Sequence, residues 1–133
     1  MKNVIYLSLL MLCVLFASCS SKTPGAVAKK YMEYVKDGDY DKFADGIMYN
    51  ETATKEDIEQ SKTMIVALLK EKASKEIDKK GGIKEIEVVS EKVSEDGNSA
   101  DVVLKTIYGN GSSEESDCKM VLKDGVWKMD IKK

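Results

Sequence analysis

The chain has 133 residues, 33% of them charged and 43% hydrophobic, with 21 basic against 23 acidic side chains and a net charge of −2. That length suits one folded domain, and the apolar share is too high for a disordered chain. Lys alternates with Glu and Asp instead of forming a basic block, so no nucleic-acid partner is expected.

Met1-Lys2-Asn3 makes a short positive start, Val4 to Phe16 a nearly unbroken apolar run, and Ala17-Ser18 a pair of small residues. That order reads as a cleaved secretory leader over residues 1–18. The 14 residues from Val4 to Ala17 fall short of the roughly 18 to 20 that a spanning helix needs. The run Phe16-Ala17-Ser18-Cys19 resembles the lipobox of bacterial lipoproteins, with Phe16 in place of the common Leu. The resemblance implies cleavage before Cys19, lipidation of that residue, and a membrane partner reached through the acylated Cys19. Two or three acyl chains anchor a protein stably where one does not. Cys13 lies between large residues in "LMLC" and reads as filler of the apolar run. The expected location is the cell envelope, as an outer-membrane lipoprotein. Ser20 suits that sorting, and "SSKTP" lacks the acidic run associated with surface export, which favours a periplasm-facing protein. Loss of residues 1–18 removes one Lys and no acid, for a net charge of −3. With Cys19 acylated, Cys118 has no partner for an intrachain disulfide.

Residues 19–23 form a lipidated tether, and residues 24–133 the domain. Thr23-Pro24 predicts a helix start, with Thr as N-cap and Pro at the first position. Val27, Tyr31, Tyr34 and Val35 then trace one apolar stripe up to Asp37-Gly38. Asp39 can cap a short second helix carrying Tyr40, Phe43 and Ile47. Thr54 and Asp57 predict a capping box. From there Ile58, Ile65, Leu68, Leu69, Lys72 and Ile77 mark one face of a helix of about 25 residues, roughly 38 Å long, ending at Gly81-Gly82. A helix of that length is expected to span the sheet. Glu71–Lys75 and Glu76–Lys80 are spaced for i, i+4 ion pairs on its wet side.

Beyond the glycines the apolar period becomes two. Strands are predicted over Ile83 to Val93, Ser99 to Tyr108, Glu115 to Lys123 and Val126 to Lys132. Asp124-Gly125 is a type I′ hairpin signal, which sets Leu122 opposite Trp127, Met120 opposite Met129 and Cys118 opposite Ile131. One face of that hairpin is then wholly apolar. The other carries Lys119, Lys123, Lys128 and Asp130. Helices followed by an antiparallel meander make an α+β fold.

Here the chain resembles a known family. "AVAKKYMEYVKDGDYDKFADGI", the long helix and "KMVLKDGVWKMDIK" are similar to small lipoprotein domains of unknown function (lumazine-binding-like) from Bacteroides-type bacteria. Those domains lie in the cystatin-like, nuclear transport factor two-like superfamily. The resemblance implies N-terminal helices packed on a curved four-stranded antiparallel sheet, a cystatin-like cone enclosing a conical cavity. It covers Pro24 to Lys132 and speaks to the fold more than to any function.

The sequence has no His, which removes Ser–His and Cys–His catalysis and His-ligated metals within one chain. No metal and no cofactor are expected. "DGDYDKFADGIM" sets Asp37, Asp39 and Asp41 at calcium-loop positions, but Lys42 and Met48 stand where such a loop needs Gly and Glu. "DGNSAD" fails in the same way, with Ala100 and Ile107. Gly109-Asn110-Gly111 lacks the Lys and the following helix of a phosphate loop and reads as a hairpin tip. Cys118 has no electropositive neighbour and reads as a core thiol.

What remains is a cavity between helix and sheet. Its candidate lining is Tyr31, Met48, Tyr49, Met64, Leu68, Tyr108, Met120, Trp127 and Met129, with the methionines as deformable walls. Three readings stay open. The first is a monomeric, non-catalytic binding module for an apolar small molecule or an envelope protein. The second is an isomerase-like enzyme using a Tyr, from among Tyr31, Tyr34, Tyr40, Tyr49 and Tyr108, with Asp39 or Asp41 as its carboxylate. The third is a passive structural lipoprotein.

Overall fold

The computed structural model describes residues 23–131. The expected leader, the lipidation site Cys19 and all of the tether except Thr23 lie outside the described residues.

Helix α1 spans Pro24–Lys36 and starts as its sequence predicts: Thr23 Oγ1 accepts the Ala26 N–H at 3.1 Å, and Pro24 holds the first position. Small residues on its inner face let it sit close to the sheet. Ala28 is fully buried, and a β-carbon on Gly25 would lie 2.1 Å from Glu91 Oε2. The Gly25 N–H donates instead to that oxygen, at 2.8 Å. Helix α2, Tyr40–Asp45, follows. Asp39 makes no side-chain cap there and pairs with Lys42 at 3.4 Å. Ile47 lies beyond this helix, in a parallel bridge to Met129.

The long helix is built in three continuous pieces: α3 (Lys55–Leu68), a π-helical segment (Leu69–Ala73) and α4 (Ser74–Lys79), 25 residues together. Its capping box is present, Thr54 Oγ1 accepting the Asp57 N–H at 3.1 Å and Asp57 Oδ2 accepting the Thr54 N–H at 3.3 Å. None of its residues is buried. Of the two expected ion pairs neither forms as spaced: Glu76 pairs with Lys79 at 3.3 Å, and Lys80 pairs with Glu114.

Four antiparallel strands follow in the order β1-β2-β3-β4: β1 Ile83–Val93, β2 Ser99–Tyr108, β3 Ser113–Lys123 and β4 Val126–Met129. Asp124 (φ 52°) and Gly125 (φ 79°) form the tight turn, both in the region a type I′ hairpin requires. The register is Leu122 with Trp127 and Met120 with Met129, as the turn predicts. Pairing stops at Met129, so the expected Cys118–Ile131 pair does not form, and Ile131 is 54% exposed. The outer edge of β4 is covered by Gly46 to Met48. Met129 N–H donates to the Gly46 carbonyl at 2.7 Å and Met48 N–H to the Met129 carbonyl at 2.8 Å.

The core lies between α1 and the concave face of the sheet. Val102, Leu104 and Met120 are fully enclosed, with Ile86, Ala100, Trp127 and Met129 around them. Each large side chain so buried contributes about 1.5–3 kcal/mol. The helix crossing the sheet is α1, which meets β1 through Gly25 and β4 through Tyr31. That corrects the expectation for the long helix, which lies beside the sheet. The physical reason is competition: one concave face accommodates one closely packed helix, and α1 with Gly25 and Ala28 approaches most closely. The architecture is the α+β cone expected, helices on a curved four-stranded antiparallel sheet.

Candidate functional site: an apolar groove beside the sheet

Because α1 covers the sheet, the apolar stripe of the long helix faces elsewhere. It meets α2 and the end of the β4 chain, and encloses a groove of about 450 Å³. Phe43 and Ile47 form one wall, Ile65, Leu68, Leu69 and Ala73 the other, and Ile131 the end. Lys72 and Glu76 also border it, with almost no polar surface facing the groove. The π-helical segment is part of this wall, since Leu69, Lys72 and Ala73 all belong to it, and its widened turn is closed by the Ser74 N–H on the Leu69 carbonyl. Single π turns within α-helices occur frequently at functional sites.

The nine candidate lining residues do not share one cavity. Met120, Trp127 and Met129 are packed into the core. Tyr31 lies across that core, its hydroxyl donating to the Trp127 carbonyl at 2.8 Å. Tyr49 donates to the Ala44 carbonyl at 2.9 Å, and Met48 borders a surface depression with Asn50 and Glu51. Met64 is 65% exposed on the outer side of α3. Tyr108 stands at the far end of β2. Leu68 alone of the nine lines the groove. The residues missed, Phe43, Ile47, Ile65, Leu69, Ala73 and Ile131, mostly belong to stripes visible in the sequence. What the stripes did not show is that they face each other.

A tyrosine–carboxylate contact does exist, on residues other than the expected acids. The Tyr108 hydroxyl donates to Glu114 Oε2 at 3.2 Å, and Lys80 pairs with the other oxygen while its Nζ lies 4.7 Å from the Tyr108 ring centroid. The hydrogen bond from Lys80 holds the Glu114 carboxyl below its ordinary range, and the same bond raises Lys80. Burial, then the Glu114 charge, raises Tyr108. Near neutrality the three groups are an ammonium, a carboxylate and a neutral phenol, an arrangement with no proton poised to move. Its effect is structural. With the Gly109 N–H on the Gly82 carbonyl (2.8 Å) and the Asn110 N–H on the Lys80 carbonyl (2.9 Å), it fastens the end of α4 to the β2–β3 hairpin.

A polar cleft between α2 and α3 is bridged by Lys62, 2.8 Å from Asp45 Oδ1. Beside it Tyr49 is pushed up to about 12, by burial first and then by Asp45 and Glu59. Cys118 is half-buried with its sulfur 3.6 Å from that of Met120, and burial raises its thiol. Such a thiol is a weak nucleophile. Among the described residues no three carboxylate or thiol groups converge as a metal ion would require, and no helix is long and apolar enough to cross a membrane.

A family profile described as a domain of unknown function, DUF4878, matches residues 17–130. The chain belongs to the DUF4878 family. Among solved structures, this DUF4878 chain is similar to a Campylobacter jejuni protein described as a "Putative NTF2-like transpeptidase". The TM-score is 0.71 at 22% identity, over 84% of this chain and 100% of that one. At that identity the likeness carries the fold, which is NTF2-like. No curated protein matches the sequence.

Proposed function

We propose that this DUF4878 chain is a lipid-anchored envelope lipoprotein whose domain is a non-catalytic binding module. It holds an apolar small molecule in the groove between α2 and the long helix. The observation that carries the reading is the groove itself: about 450 Å³ of space walled by apolar side chains, in the size range of small-molecule sites. The anchor rests on the Phe16-Ala17-Ser18-Cys19 sequence. Because Thr23 already caps α1, the stretch from Cys19 to Thr23 reaches at most about 13–14 Å, which would keep the domain near the lipid surface. The enzyme alternative has the Tyr108–Glu114 contact in its favour, but Lys80 holds that carboxylate ionised, which speaks for a latch.

Two measurements test the reading. Cys19→Ser moves the protein out of the membrane fraction and leaves its folded core intact; membrane retention after that change refutes the anchor. A photoreactive long-chain alcohol labels the groove residues saturably, and Leu68→Asp removes the labelling. Labelling scattered over the surface refutes the groove.

A further inference from the structure

Lys72 breaks the apolar face of the long helix, standing on the same stripe as Ile65, Leu68 and Leu69. Its stem adds to the wall of the groove, and long cationic side chains on apolar surfaces carry their ammonium out towards water. Glu76, the other polar neighbour, is already paired with Lys79 at 3.3 Å. Among the described residues Lys72 has no ion-pair partner. The groove is thus an apolar trough bordered by one lysine that makes no ion pair and one glutamate that does.

We infer that the groove takes an anionic amphiphile, a long-chain carboxylate whose tail lies along Phe43, Leu68 and Leu69 and whose head pairs with Lys72. This rests on the groove being a binding site, as proposed above, and adds the class of ligand. About 450 Å³ of space walled by apolar side chains is in the range of small-molecule sites and suits an alkyl tail. The head group follows from charge: an ammonium on a low-dielectric wall attracts an anion and repels a cationic head. The π-helical turn carries Leu69 and Lys72 together, so one local feature presents both the tail contact and the head contact.

The test uses the membrane-purified protein in nanodiscs, with photoreactive probes of equal chain length bearing either a carboxylate or an alcohol, and labelled residues located by mass spectrometry. The carboxylate should label the groove at a roughly fivefold lower concentration than the alcohol, the upper end of what one exposed ion pair contributes. Lys72→Gln should abolish that preference, and Lys72→Arg should keep it. Equal labelling by the two probes, or a preference that survives Lys72→Gln, overturns the inference and leaves the groove as a binding site. Absence of groove labelling by both probes overturns the groove and the inference together.

Discussion

The Tyr31 ring lies against the α-carbon of Gly46 so closely that a β-carbon there would sit 2.4 Å from Cε1. Gly46 has φ −84°, so it is required by this approach and not by its backbone conformation. The contact places Tyr31 to bond the Trp127 carbonyl while Gly46 accepts from Met129, joining α1, the segment after α2, and β4 at one point. Gly46→Ala is expected to destabilise the protein by about 1–3 kcal/mol through overpacking. Urea unfolding followed by the fluorescence of Trp127, the sole Trp, measures it. In a Tyr31→Ala background the same change should cost markedly less, giving a coupling energy in the double-mutant cycle. Additive costs would show that the ring is not the obstacle.

At the opposite end of the long helix, a β-carbon on Gly109 would lie 2.2 Å from the Gly81 carbonyl oxygen. Backbone cannot yield there as a side chain can. Gly109→Ala should therefore separate α4 from the β2–β3 hairpin, breaking the Gly109–Gly82 hydrogen bond. Amide exchange at Gly109 and Asn110 should quicken while β3–β4 amides stay protected. Unchanged exchange would mean that the helix end is held by Lys80 and Glu114 alone.

Met120 is fully buried between α1 and the sheet. Met120→Ala removes that volume and should cost about 2–5 kcal/mol. Met64→Ala, on an exposed side chain, should shift stability by no more than about 0.5 kcal/mol. Thermal unfolding of the pair separates core from surface, and equal losses would contradict the packing described.

Tyr49 provides a pH test. Its phenol is raised from 10.0 to about 12 in the fold, so between those values the unfolded chain has lost a proton that the folded one keeps. Its stabilising contribution is full below about pH 10 and is lost as pH rises towards 12. Ultraviolet titration should show late-ionising tyrosine, and Tyr49→Phe should remove the latest step. Retention of that step in the variant would assign it to Tyr31 or Tyr108, which burial also raises.

The elements whose geometry is local were legible in the sequence. Thr23-Pro24, the Thr54/Asp57 box and Asp124-Gly125 act through bonds or dihedrals spanning a few residues, so composition at those positions suffices. Boundaries were less secure where the ending is tertiary: β4 stops at Met129, short of the expected Lys132. The tyrosine–carboxylate contact joins Tyr108 to Glu114, six residues apart in sequence and brought together across the β2–β3 turn, while Asp39 pairs with Lys42 and Asp41 lies in the first turn of α2.

By itself the sequence determined the strand alternation, the β3–β4 register, the helix starts and the presence of two apolar helical stripes. Only the tertiary structure decided which stripe meets the sheet. An apolar stripe records that a helix face should be covered and carries no information about what covers it. That choice depended on how closely each helix can approach: Gly25 and Ala28 bring α1 onto the strands, and the long helix closes against α2 instead. The groove, and the position of Lys72 at its edge, follow from that outcome.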